Sequence, residues 1–216
     1  ELMITTIAPV DRWISPLEVS DPTPDFIKTK GAISFQYNGY VYMGLGRTAA
    51  PLGSTIQLYR YNPSADPSSR VWEPAYRSLA VGIENNMSDA VCFVIKDVDE
   101  NDGLSHDYLY VGTGLTESGS ATKEFYRLEL NTNTSGSVSN WGEWVKITSQ
   151  TTHGAQQFPG NVRSNAVAFT INGIGYVGLG KLDIGTDDAF DDFFKFDPED
   201  RKAGEYNYGK WTKLEE

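Results

Sequence analysis

The sequence predicts an all-β fold assembled from repeated four-stranded antiparallel units. Three observations carry that expectation. Aromatic residues are abundant, with 5 Trp, 12 Tyr and 10 Phe in 216 residues, which argues for a packed core rather than disorder. Gly and Pro number 21 and 10 and punctuate runs of β-branched and aromatic residues, the pattern of many strands and turns. Three short strings also recur in the same order, and such self-similarity at a fixed period marks repeat architectures.

The first string is Ala32-Ile33-Ser34-Phe35, Ala90-Val91-Cys92-Phe93 and Ala166-Val167-Ala168-Phe169. It is short and almost wholly apolar, as expected of a strand covered on both faces. The second is Tyr42-Met43-Gly44-Leu45-Gly46, Tyr110-Val111-Gly112-Thr113-Gly114 and Tyr176-Val177-Gly178-Leu179-Gly180. It joins β-formers to glycines that permit a tight exit and a close backbone approach. Between these strings, Asn38-Gly39 and Asn172-Gly173 carry the strongest short hairpin signal. The third string runs from Leu58 to Pro63, from Phe125 to Leu130 and from Phe193 to Pro198. Its alternation of aromatic and basic residues predicts a half-exposed strand ending at a turn. Each unit closes on a Trp (Trp72, Trp144 or Trp211) that heads a fourth, outermost strand. The central glycines Gly44, Gly112 and Gly178 stand 68 and 66 residues apart. Four antiparallel strands, apolar inside and wetter outside, make a propeller blade.

From Gly31 to Leu214 these strings resemble kelch repeats of the galactose oxidase-like superfamily. The chain departs from the kelch pattern in having Gly-x-Gly where two glycines are adjacent, and its units exceed the usual length of about 50 residues. The expected organisation is a partial N-terminal blade and linker over 1–30, then blades over 31–79, 87–148 and 163–216. In the partial blade, Leu2 to Ile7 reads as a third strand and Trp13 to Leu17 as the outermost. Propellers typically have about 4 to 8 blades. The chain is therefore expected to form part of a six- or seven-bladed ring, with the remaining blades coming from a longer chain or a second copy.

Charge narrows the functions. Eighteen Lys and Arg against 29 Asp and Glu give a net charge of −11 and a pI near 4.6, which disfavours nucleic acid and anionic lipid as partners. Cys92 is the only cysteine, so an intrachain disulfide is excluded. No apolar stretch reaches the roughly 20 residues a helical membrane span needs, so membrane insertion is not expected. The chain opens on Glu1, and the expectation is a processed or excised polypeptide from a secreted, periplasmic or cell-surface protein.

Three candidate sites emerge. Asp97, Asp99, Asn101 and Asp107 place oxygen ligands around Gly103, as a hard cation such as calcium requires. Gly103 is the seventh residue of that loop rather than the sixth, and no Glu stands at the twelfth position; a solvated acidic hairpin tip is the competing reading. A second acidic run, Asp183, Asp187, Asp188, Asp191 and Asp192, reads as a solvated loop or a cation or basic-partner site. On the rim where loops between second and third strands meet loops between blades, Arg47, Lys181, Arg163 and Lys28 form a candidate carboxylate-binding cluster. His106 and His153 fall in polar stretches, outside any recognisable catalytic triad or metal spacing.

The resemblance also implies enzymes: a copper radical oxidase acting on galactose and a sialic acid mutarotase. The copper site needs several tyrosine and histidine ligands and a Tyr joined to a Cys, whereas Cys92 reads as a small core residue on an inner strand. No residue set transfers for the mutarotase. The expected function is a non-catalytic module binding a protein or glycan, with no cofactor unless calcium binds. The alternative is a sugar-active propeller enzyme, of mutarotase or hydrolase type, with its site at the channel mouth.

Overall fold

A computed structural model of the chain describes residues 29–48, 56–66, 72–77, 87–100, 102–131, 141–147, 157–182, 188–201 and 209–215. Fourteen strands and no helix lie among them. The expected strands of the partial N-terminal blade fall outside the described residues.

A two-residue strand β1 (Thr29–Lys30) precedes β2 (Ile33–Tyr37) and β3 (Tyr40–Gly44), which form the first hairpin. Asn38 and Gly39 at its tip have φ of 46° and 80°, the paired left-handed conformation that a two-residue turn of matching twist requires. β4 (Arg47–Thr48) pairs back with β1, and β5 (Ile56–Tyr61) and β6 (Trp72–Arg77) complete the sheet in the order β2-β3-β5-β6.

The second sheet repeats that order with β7 (Val91–Asp99), β8 (Ser105–Gly112), β9 (Phe125–Glu129) and β10 (Val145–Lys146). The third does so with β11 (Val167–Ile171), β12 (Ile174–Gly178), β13 (Phe193–Asp197) and β14 (Lys210–Lys213). All pairings are antiparallel, and in each four-stranded sheet the first strand lies at one edge and the strand at or beside the closing Trp at the other. These are three propeller blades, called blades 1, 2 and 3 below.

Equivalent residues make equivalent contacts. Phe35 stacks on Tyr42 with centroids 5.0 Å apart, Phe93 on Tyr110 at 5.1 Å, and Phe169 on Tyr176 at 5.3 Å. Opposite those tyrosines on the third strand stand Arg60, Arg127 and Lys195. Arg60 lies over the Tyr40 ring and Arg127 over the Tyr108 ring, so the basic residues of the third string form a cross-strand ladder with tyrosines of the second strand.

The cores lie between blades rather than inside them. One joins Ile33, Tyr37, Tyr42 and Leu58 of blade 1 to Leu109, Val111, Tyr126 and Leu128 of blade 2. The other joins Val91, Phe93, Tyr110 and Phe125 of blade 2 to Val177, Phe194, Phe196 and Trp211 of blade 3. Blade 2 is thus covered on both faces, and its strand β8 ends in a run of wholly buried residues. Cys92 lies on the side of β7 facing blade 1, with its thiol donating to the Ser34 carbonyl at 3.3 Å. Burial pushes that thiol up to about 12, the behaviour of an inert packing residue.

In the acidic segment the strands run on into the stretch that the sequence suggests is a loop. β7 runs on to Asp99 and β8 starts at Ser105, so the hairpin is lengthened rather than looped out. Pairing shifts register between Ile95 and Val98, where Asp97 adopts φ 58°. The extension packs on the turn after β13: the Asp99 amide donates to Glu199 Oε1 at 3.3 Å, and Arg201 donates to the Asp99 carbonyl.

Candidate binding rim

The rim is built by the Gly-x-Gly strings. Leu45, Thr113 and Leu179 have φ of 54°, 56° and 57°, and the glycine after each is also left-handed, at 85–86°. These paired residues turn each second strand back beside the segment leading into its own blade. A Cβ at Gly114 would sit 2.5 Å from the Ser88 carbonyl oxygen, and one at Gly180 2.7 Å from that of Ser164. Both the φ and the close approach therefore demand glycine.

The residue that follows is bridged to that leading segment in every blade: Arg47 to Lys30, Leu115 to Ser88, Lys181 to Ser164. Further hydrogen bonds tie each blade to the next. Gly46 N–H donates to the Met87 carbonyl at 2.7 Å and Gly114 N–H to the Arg163 carbonyl at 2.8 Å. Asp89 N–H donates to the Gly31 carbonyl at 2.9 Å, and Asn165 N–H to the Asp89 carbonyl at 3.1 Å. Gly31, Asp89 and Asn165 are themselves left-handed, at 69°, 54° and 54°, and Gly, Asp and Asn are the residues that tolerate it. A continuous backbone network thus runs across the rim from blade 1 to blade 3.

On that frame Arg47 and Lys181 occupy the same position of blades 1 and 3. Arg47 is exposed and reaches blade 2, where its Nη2 donates to the Thr116 carbonyl at 3.3 Å. The loop it touches is self-supported: Thr116 N–H donates to the Ser120 carbonyl and Thr122 N–H to the Gly114 carbonyl, each at 2.9 Å. Near it, Met87, Thr116, Thr122, Glu124 and Tyr126 line a small hollow. Tyr126 Oη donates to Glu124 Oε2 at 2.9 Å, while Lys146 donates to Oε1.

Arg163 is not a rim cation of this kind. Its side chain is fully buried and forms a two-pronged pair with Asp192, Nη1 to Oδ1 at 2.6 Å and Nη2 to Oδ2 at 3.0 Å. It also donates to the carbonyls of Leu179 and Asn161, and its guanidinium lies over the rings of Phe158, Phe190 and Phe194. It clamps the segment leading into blade 3 onto the loop before β13. Lys28 lies outside the described residues, immediately before β1.

The four acidic-loop positions are partly assembled. Asp107 Oδ1 accepts from the Asp97 amide at 3.0 Å, and its Oδ2 accepts from Tyr37 Oη at 2.9 Å. Asp97 Oδ1 accepts from Ser105 Oγ at 2.9 Å, while Asp99 points its amide toward Glu199. Asn101 lies outside the described residues. Among the described residues no group of three His, Cys, Asp or Glu side chains converges as a metal would need. Of the second acidic run, Asp183 and Asp187 are outside the described residues, and Asp192 serves Arg163.

The end of the blades opposite the rim holds a charge network that the sequence hid. His106 Nδ1 lies 2.6 Å from Glu129 Oε1 and its Nε2 lies 3.0 Å from Asp102 Oδ2, with the ring stacked near Tyr108. The hydrogen bond to Glu129 raises the His106 pKa above its ordinary value, helped by Asp102 and opposed by burial. Beside it, Glu100 accepts from Arg127 at 2.6 Å and lies 3.7 Å from Arg201. His153 is outside the described residues.

The fold and the rim together define stacked β-propeller blades whose loops are held by a shared backbone frame. No family model and no curated protein matches the chain. A solved structure titled "Structure of YjhT" is similar, with 17% identity and a TM-score of 0.48, over 86% of this chain and 50% of that one. The chain therefore spans half the length of that structure's chain, and no residue role is carried over from it.

Proposed function

We propose that the chain is a kelch-like binding module that recognises a protein or glycan through one rim, taking ligand carboxylates on Arg47 and Lys181. The observation that supports this reading is the placement of two cations at the same position of blades 1 and 3, each fixed by a backbone bridge. The backbone beneath each cation is already ordered before binding, and a ligand carboxylate meeting either side chain accepts charge-assisted hydrogen bonds. Lys28, next to β1, belongs to the same rim in this reading, whereas Arg163 serves by holding the rim together. An acidic glycan or an acidic peptide segment is the ligand class, which fits a protein of the cell envelope or exterior.

Calorimetry against uronate-bearing oligosaccharides, their neutral counterparts and a glutamate-rich peptide tests it. The acidic ligands should bind, weaken with salt, and lose about tenfold in affinity (about 1.4 kcal/mol) with Arg47→Ala or Lys181→Ala. Equal affinity in the doubly substituted protein would sink the proposal. Turnover of a sugar that depends on these residues would instead make the module an enzyme.

A further inference from the structure

The three blades present equivalent faces in unequal surroundings. Along β2, Ile33, Phe35 and Tyr37 pack toward blade 2. Along β7 the matching residues Val91, Phe93 and Ile95 pack toward blade 3 and are at most 5% exposed. Along β11 they are Val167, Phe169 and Ile171, which are 42%, 43% and 51% exposed, with Leu179 beside them at 38%. The stack beneath is the same in all three blades, but its cap differs. Trp141 of blade 2 lies 5.2 Å from the Tyr42 ring, and Phe196 of blade 3 lies 5.0 Å from the Tyr110 ring. For Tyr176 no such cap stands among the described residues. Among the described residues, a sheet face patterned as an inter-blade seam is left open.

The occupied seams show what their partner looks like. In each, a side-chain donor on the first strand of the following blade meets a carbonyl on the first strand of the blade before it. Cys92 Sγ donates to the Ser34 carbonyl at 3.3 Å, and Thr170 Oγ1 donates to the Val94 carbonyl at 2.9 Å. The positions matching Cys92 and Thr170 in blade 1 are Ser34 and Gln36. Both side chains are donors, and both residues are exposed. They stand on the side of β2 opposite Ile33, Phe35 and Tyr37, since alternate residues face opposite sides of a strand. Blade 1 therefore offers the back face that the front of blade 3 lacks, with Ser34 matched to the Ala168 carbonyl and Gln36 to that of Thr170.

We propose that the front face of blade 3 seats the back face of blade 1 from a second copy of this chain. The contact is head to tail, and two such seams close the three described blades of each copy into one six-bladed ring. A front-to-back contact repeated by a two-fold operation closes on itself, and six blades lie within the range that propellers adopt. The proposal stands apart from the rim-binding reading, because it is read out by mass and not by ligand affinity.

Light scattering over a concentration series tests it, with two variants on exposed residues and far-ultraviolet dichroism as the check on folding. The expected mass is twice 23.9 kDa, with no further growth as concentration rises. Phe169→Asp on the front face and Gln36→Asp on the back face should each give monomers. An equimolar mixture of the two variants should recover dimer, because one intact seam remains between them. A monomeric wild-type chain at every concentration would overturn the proposal. So would a dimer that survives Gln36→Asp, since that would mean front-to-front pairing. A mass that keeps rising past the dimer would overturn ring closure.

Discussion

Arg163 and Asp192 lie 29 residues apart and meet at a site from which the arginine is wholly shielded. Removing one partner of such a pair leaves a charge buried without compensation, so Arg163→Ala or Asp192→Asn should cost about 3–5 kcal/mol in urea unfolding. Replacing both by apolar residues of similar volume should cost much less. His106 sets a different dependence. Its folded pKa is raised, so its contribution is fully present below the ordinary imidazole value and disappears as pH rises through the raised one. Stability measured by urea titration should fall across that interval and level off above it, and Glu129→Gln should flatten the profile. A wild-type profile that rises there would contradict the assigned pairing. Neither arrangement was legible in the sequence. An arginine before an inner strand looks like a surface cation, and only the fold brings the loop before β13 over it. His106 looked solvated because its partners come from the hairpin extension and from β9.

At the scale of the element, glycines and turns were the most legible features. Asn38-Gly39 and Asn172-Gly173 make the left-handed hairpin tips their chemistry requires, and the order of four strands repeats as the strings do. The Gly-x-Gly strings were legible as strand exits, but their role in bridging neighbouring blades depends on backbone approaches with no sequence signature. The structure separates the two glycine types. A Cβ at Gly39 meets nothing within 4 Å, so Gly39→Ala should cost about 1–2 kcal/mol, the left-handed backbone penalty alone. Gly114→Ala carries the same penalty and also forces a Cβ to within 2.7 Å of the Ala90 backbone. It should cost clearly more and loosen the rim, as read by thermal unfolding of the two variants side by side. The acidic segment reads as a loop in the sequence because charge and Gly103 dominate it. Its Val98 instead continues the ladder opposite His106 and is buried in the seam with blade 3, in the cluster that also holds Tyr108 and Tyr110.

Across the molecule, stability resides in seams between blades, and a blade with a neighbour on each side should be the most resistant to opening. That ordering follows from where Phe93 and Phe169 sit, one buried under the next blade and the other open, although both occupy the same place in the repeat. The repeat itself was readable from four ordered coincidences, each occurring three times. Which faces are covered was not, because Val167, Phe169 and Ile171 have the composition of a core whether or not a neighbour is present. Front-to-back stacking underlies the fold, the shared rim and the proposed pairing of copies alike. Hydrogen exchange measured at low and high protein concentration tests it most directly. The account predicts that amides of Val91–Ile95 exchange slowly at both concentrations, and that those of Val167–Ile171 become slow only at the higher one. Fast exchange throughout Val91–Ile95, or equal and strong protection of Val167–Ile171 at the lowest concentration, would contradict it.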